Sequence, residues 1–210
     1  MTCDSCTTAE DDIGIDDYHT LHSTYRIHVL AAGGFKDPPV LLLHGRNLDA
    51  SIWDELGTLK LLAAMGYRAM AIDLPGYGTT DDIRLSPNTY LKEILPALEI
   101  SRPVVVAPCI AGRYAFPWMQ RHPKDLNGLV AVAPVAVPEF AHRLSGSEVP
   151  TLVIWGELDA RYPVALGRQL EENIPSARLE VLPGARHACY LDQTEIFHDL
   201  LTTFCKSIYG

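Results

Sequence analysis

The sequence predicts a single α/β domain in which a mostly parallel sheet carries helices on both faces. Three observations lead there. Apolar strand-like runs alternate with segments of helical period along most of the chain. Runs such as "VLLLHG" and "VVVAP" are continuous, as in strands buried on both faces. Finally, the chemically reactive side chains collect just after the runs, where α/β sheets bind their ligands.

Residues 1–17 are predicted to be a flexible acidic tail, and 18–210 the domain. "YHTLHSTYRIHVLA", residues 18–31, alternates loosely and suggests one or two edge strands before Gly33-Gly34. After Pro38-Pro39, "VLLLHG" reads as a buried strand. Trp53 to Met65 reads as a helix with Leu56, Leu59 and Ala63 on one face, stopped by Gly66. "YRAMAIDLPGYG" is the next strand and its turn. Asn88 is placed to cap a helix whose Leu91, Ile94, Leu95 and Leu98 share a face.

"VVVAPCIAGRYAF" is a strand breaking sharply into a helix that runs from about Ala111 to Arg121. "LNGLVAVAPVAV" and "TLVIWGELD" are further strands, and a helix holding Leu166, Leu170 and Ile174 follows. "ARLEVLPGARHACY" gives the last strand. Glu195 to Tyr209 closes as a helix with Ile196, Leu200 and Phe204 in register.

The bulk properties narrow the class. A chain of 210 residues, 48% hydrophobic, can bury a core without disulfides or metal. The net charge of −9 argues against nucleic acid or an anionic membrane as partner. No apolar run approaches the ~20 residues of a membrane span. "MTCDSCTTAEDD" lacks a basic flank and an apolar stretch, so no secretory signal is expected and the predicted location is cytoplasmic. Cys3 and Cys6 form a CxxC without a second pair at zinc-like spacing, which favours a tail over a metal site. No cofactor or metal is predicted.

Four strand ends carry the notable groups: His44-Gly45-Arg46, Cys109, Asp159 and His187. The order nucleophile, acid, histidine is that of a catalytic triad on such a sheet. In this arrangement the chain resembles the α/β-hydrolases, and most the small lidless members of the abhydrolase-domain-containing fourteen type. The likeness runs from about Tyr18 to the end. It is densest in "VLLLHGRNLDASIWDELGTLKLLAAMGYRAMAIDLPGYG" and "LPGARHACYLD". The resemblance implies an α/β-hydrolase fold with no cap domain, and a cofactor-free acyl-group chemistry.

The departure is at the nucleophile. The family pattern G-x-S-x-G places serine where this chain has Cys109, with Ala107 and Ala111 at the glycine positions and Gly112 one further on. Alanine is nearly as small as glycine, so the sharp turn survives. A thiol at a helix start beside a histidine is poised to ionise. His187 is then the expected general base, with Asp159 fixing its tautomer. The backbone N–H groups of Arg46 and Ile110 are the expected oxyanion donors. A dienelactone-hydrolase-like or polyhydroxyalkanoate-synthase-like Cys-Asp-His set is similar at this point alone.

A thiolate is also a good leaving group, so esters, lactones and thioesters suit it better than amides. His44 is expected to buttress the oxyanion loop and Asp73 to cap a loop. Cys189 is expected to be a packed thiol. Arg46, Arg113, Arg161 and Arg186 cluster near these elements. Composition alone accounts for loop arginines, and the sharper reading is a cationic rim. Arg113, Arg161 and Arg186 would then bind a small acyl substrate, anionic or thioester-linked. Only "PEFAHRLSGSEV" separates two strands where relatives insert a lid, so the site is expected to be open. Hydrolysis, acyl transfer to a thiol or amine, and non-catalytic protein binding on the same fold all remain compatible with the residues.

Overall fold

The computed structural model describes residues 13–82 and 84–210. Cys3 and Cys6, and most of the segment assigned to a tail, lie outside the described residues. Eight strands form one sheet: β1 (Asp16–His22), β2 (Tyr25–Ala32), β3 (Pro39–Leu42), β4 (Arg68–Ile72), β5 (Val104–Pro108), β6 (Gly128–Val132), β7 (Thr151–Gly156) and β8 (Ala177–Leu182). Their order is β1-β2-β4-β3-β5-β6-β7-β8. β1 and β2 form an antiparallel hairpin, β2 pairs antiparallel with β4, and all remaining pairs are parallel. The first strand begins at Asp16, two residues inside the segment expected to be tail. Of these two strands only β1 is an edge, because the hairpin lays β2 against β4 in the interior.

The helices are α1 (Ile52–Glu55), α2 (Thr58–Ala64), α3 (Tyr90–Ile94), α4 (Gly112–Arg121), α5 (Val137–Phe140), α6 (Ala165–Asn173), α7 (Cys189–Asp192) and α8 (Thr194–Tyr209). The period of two along each strand sorts the core into halves. Leu41, Met70, Val105, Leu129 and Val153 face α3, α4, α5 and α6 through Leu91, Phe116, Phe140 and Leu170. Val40, Ala69, Val106, Val130 and Ile154 face α1, α2, α7 and α8 through Trp53, Leu62, Tyr190 and Phe197. Both faces of the sheet are thereby covered, which is why its strands read as unbroken apolar runs. No helix among the described residues is long and apolar enough to cross a membrane.

Two helices differ from expectation. Trp53 to Met65 is not one helix: Gly57, at φ 71°, separates α1 from α2 in a left-handed turn. Gly66 ends α2 as expected, with Gly66 N–H donating to Ala63 and Tyr67 N–H to Leu62. Asn88 does not cap α3. The N–H groups of Thr89 and Tyr90 donate to the Ser86 carbonyl instead, and Pro96 follows closely on the helix end. The dozen residues after β6 hold α5 and a 3-10 turn, Ala141–Leu144, whose Phe140, Ala141 and Leu144 pack into the core. They form no separate cap domain.

The crossover from β4 to β5 reverses the direction in which the sheet grows. β3 and β5 become neighbours, with Leu42 opposite Val106 and Leu43 N–H donating to the Val106 carbonyl at 3.0 Å. The carboxyl ends of the first and third parallel strands therefore open side by side.

Beyond β5, Gly112 allows the close approach expected of the small residues at the elbow. A Cβ built on it would lie 2.6 Å from the Val135 carbonyl oxygen and 2.8 Å from Pro134 Cβ. Gly112→Ala is expected to destabilise the fold by about 1–3 kcal/mol through overpacking against backbone, read as a lower urea midpoint with an unchanged slope.

Candidate active site

Cys109 follows the last residue of β5 and adopts φ 45°, a left-handed conformation that a side chain enters only under constraint. The constraint is visible: Val135 N–H donates to the Cys109 carbonyl at 2.8 Å, and Gly112 fits beneath the same segment. Ala107 and Ala111 are both buried, filling the positions where the elbow tolerates little volume. Cys109 itself is half-buried, so the sulfur is reachable.

His187 lies in the loop between β8 and α7. Its Nδ1 is 2.7 Å from Asp159 Oδ2, and the Asp159 side chain is fully enclosed. Asp159 Oδ1 accepts the N–H groups of Arg161 and Tyr162, both at 2.9 Å. With the carboxylate so occupied, Nδ1 carries the proton and Nε2 is left to act as base. Nε2 is buried and completes no hydrogen bond. The Cys109 thiol is nonetheless the neighbour that raises the imidazole most. Sulfur and ring are thus close without an aligned bond, as is common before substrate binds.

The electrostatics of the pair run in opposite senses. Burial pushes the Cys109 thiol up, but His187 and the N–H groups of Arg46 and Ile110 outweigh it, and the thiol sits below its usual value. His187 is raised by Cys109, against the effect of burial, with Asp159 adding to the rise. Both shifts favour thiolate beside imidazolium. The two N–H groups expected to receive an oxyanion are among the influences that lower the thiol.

His44 is fully buried. Its Nε2 accepts the Leu74 N–H at 2.9 Å, which leaves the ring proton on Nδ1 to donate to the Gly45 carbonyl at 2.9 Å. Burial lowers its pKa and keeps it neutral. Asp73 ties the loops after β3 and β4 together, accepting from Ala50 N–H at 2.7 Å, Thr79 N–H at 2.9 Å and His28 Nδ1 at 2.8 Å. Cys189 is buried, and burial pushes its thiol up to about 12, a packed and inert state.

The arginines separate. Arg186 is already engaged by a carboxylate. Its guanidinium donates to both oxygens of Asp192, at 2.7 and 3.1 Å, and its N–H to Oδ2 at 2.8 Å, which pins the His187 loop to α7. Arg46, Arg113 and Arg161 are exposed and make no ion pair among the described residues. Two aromatic residues escaped the sequence reading. Tyr162 sets its ring 5.2 Å from His187, and Tyr190 is buried on the far side of Gly45. Aromatic residues in loops carry no spacing signal that distinguishes them from core.

A cavity of about 700 Å³ lies at the amino ends of β5, β6 and β7, lined by Arg102, Lys124, Asn127 and Val149 among others. It holds none of these reactive groups. Chemistry, not volume, locates the candidate site at the opposite edge.

Residues 38–146 match the family described as alpha/beta hydrolase fold. Protein ABHD14A of Danio rerio is 41% identical over 181 residues, covering 80% of this chain, which spans only 64% of that protein's length. The Homo sapiens "Putative protein-lysine deacylase ABHD14B" is 34% identical over 177 residues, covering 80% of this chain and 83% of that one. A solved structure titled "predicted CIB-like hydrolase" from Thermoplasma acidophilum superposes with TM-score 0.88 at 21% identity, over 93% of this chain and 99% of that one. A carboxylesterase of Bacillus subtilis gives 0.81 at 15% identity, over 92% of each chain, a likeness of fold.

Alkylation of Cys109 by iodoacetamide against pH should show a midpoint below the ~8.5 of a free thiol. Asp159→Asn keeps an oxygen for the Arg161 and Tyr162 N–H groups but removes the charge that favours imidazolium. Its midpoint should rise, and an unmoved midpoint would detach Asp159 from the pair.

Proposed function

Since the chain belongs to the alpha/beta hydrolase family, we propose that it is an acyl hydrolase in which Cys109 replaces the usual serine nucleophile and works with His187 and Asp159. The observation that carries this reading is the convergence of three groups on one sheet edge. They are a strained, accessible thiol held below its usual pKa, an imidazole raised above its own, and an enclosed carboxylate 2.7 Å from that imidazole.

In the proposed reaction the Cys109 thiolate attacks the substrate carbonyl carbon. The carbon–sulfur bond forms as the carbonyl π pair moves onto oxygen, and the N–H groups of Arg46 and Ile110 receive that charge. Collapse expels the leaving group, which takes the proton from His187 Nε2. Water then attacks the thioester, with His187 accepting its proton, and the thiolate departs with the acid released. Each oxyanion donor contributes about 3–4 kcal/mol to such a barrier.

A thiolate leaves more readily than an amine, so esters, lactones and thioesters are the favoured substrates. The missing cap favours small or extended acyl groups. Arg46, Arg113 and Arg161 are the cations available to favour an anionic substrate; Arg186 is engaged by Asp192. A second reading draws on the name of the human relative: removal of acyl groups from protein lysines. The raised imidazole supports it, because an amine leaves only when His187 protonates it. Transfer of the acyl group to a thiol or amine would use the same intermediate.

Intact mass spectrometry after exposure to thioesters, lactones, p-nitrophenyl esters and an acyl-lysine peptide separates these substrates. The expected result is one acyl increment mapping to Cys109, absent in Cys109→Ala and slow to clear in His187→Ala. No adduct on any of them, with free acid still released, would move the nucleophile elsewhere. If instead no acid is released from any substrate, the chain is a binding protein on a hydrolase scaffold.

A further inference from the structure

Tyr190 is 2% exposed, yet its hydroxyl has no hydrogen-bond partner. Such a group is costly to bury, and it persists where something else needs it. The ring cannot swing away to find solvent. It stacks on Trp53 with centroids 5.3 Å apart and lies 5.8 Å from Phe197. Trp53 is fixed in turn by its indole N–H donating to the Leu43 carbonyl at the end of β3, at 3.1 Å.

The hydroxyl points at the reacting end of the sheet. A Cβ built on Gly45 would meet the Tyr190 oxygen at 3.4 Å and Cys109 Cβ at 3.7 Å. Hydroxyl and nucleophile therefore flank the same glycine, at most about 7 Å apart from oxygen to β-carbon. The Gly45 carbonyl is not available to the hydroxyl, since it already accepts His44 Nδ1 at 2.9 Å and Leu48 N–H at 3.3 Å. Gly45 having no side chain leaves the way to the sulfur unobstructed.

Resting on the nucleophile reading above, we infer that when Cys109 ionises and its side chain turns toward Gly45, the Tyr190 hydroxyl becomes a buried donor to the sulfur, a bond not made in the resting geometry, and joins the Arg46 and Ile110 N–H groups in stabilising thiolate. The proton remains on the phenol throughout and no covalent step is added. Burial foremost, with the charge of Cys109, pushes the phenol up, so it stays a donor over the whole range in which the thiol ionises. The role explains why a lone hydroxyl is kept in an aromatic cluster where phenylalanine would pack as well.

Tyr190→Phe retains the ring and its stacking and removes only the hydroxyl. Two readouts separate a role at the sulfur from a role in packing. The pH midpoint for alkylation of Cys109, followed by peptide mass spectrometry, should rise by about 0.5–1 unit, slowing alkylation below that midpoint about 3–10-fold. Thermal stability should hold or increase, because an unpaired buried group is gone. A low wild-type midpoint that Tyr190→Phe leaves in place overturns the Tyr190 role and spares the nucleophile reading. A wild-type midpoint at the ordinary thiol value overturns both.

Discussion

The backbone of Cys109 is the constraint on which the rest of the site depends. A non-glycine residue at φ 45° costs about 1–3 kcal/mol, and it holds only where its surroundings fix it from several sides. Here the Val135 N–H clamps its carbonyl, Gly112 lets the next helix seat against Pro134 and Val135, and small side chains flank it. Positive φ recurs nearby, at Asn47 beyond β3 and at Ala133 and Ala136 beyond β6. Of the seven non-glycine residues at positive φ among the described residues, four thus follow the carboxyl ends of β3, β5 and β6.

That geometry makes the electrostatics work. A half-buried thiol is normally driven toward its neutral form. The opposing influences come from parts of the chain far apart in sequence: Arg46 after β3, Ile110 after β5 and His187 after β8. His187 is itself poised by Asp159 after β7, whose second oxygen is held by two backbone N–H groups. Each loop is short and tied down. Gly156 shows how tightly, since a Cβ there would lie 2.1 Å from the Arg186 carbonyl oxygen, next to the histidine. The site is an assembly of four strand ends, and the sheet register sets its tolerances.

In the proposed reaction, cysteine in place of serine changes which step is difficult. Serine needs its base during attack, whereas a pre-ionised thiol needs its acid when the leaving group departs. The shifts on Cys109 and His187 have the signs that such a division of labour requires. Kept neutral by burial, His44 holds the loop after β3 through one accepted and one donated hydrogen bond.

Much of this was legible in the sequence, because hydrophobic period and strand-end chemistry are local signals. The continuous runs of β3 to β7 and the elbow at Cys109 could be read from neighbouring residues, and each of Cys109, Asp159 and His187 from the local motif at its own strand end. What could not be read depends on partners distant in sequence. Arg186 looked like a substrate ligand until Asp192 engaged it, and Asn88 looked like a cap until Ser86 took the helix N–H groups. Tyr190, read as the end of the last strand, lies beyond it and is core in all but its hydroxyl. Composition and periodicity determine which residues are buried and in what element. Only tertiary packing decides which polar atoms meet and which of them is left waiting for a partner, because hydrogen bonds are directional and burial is not.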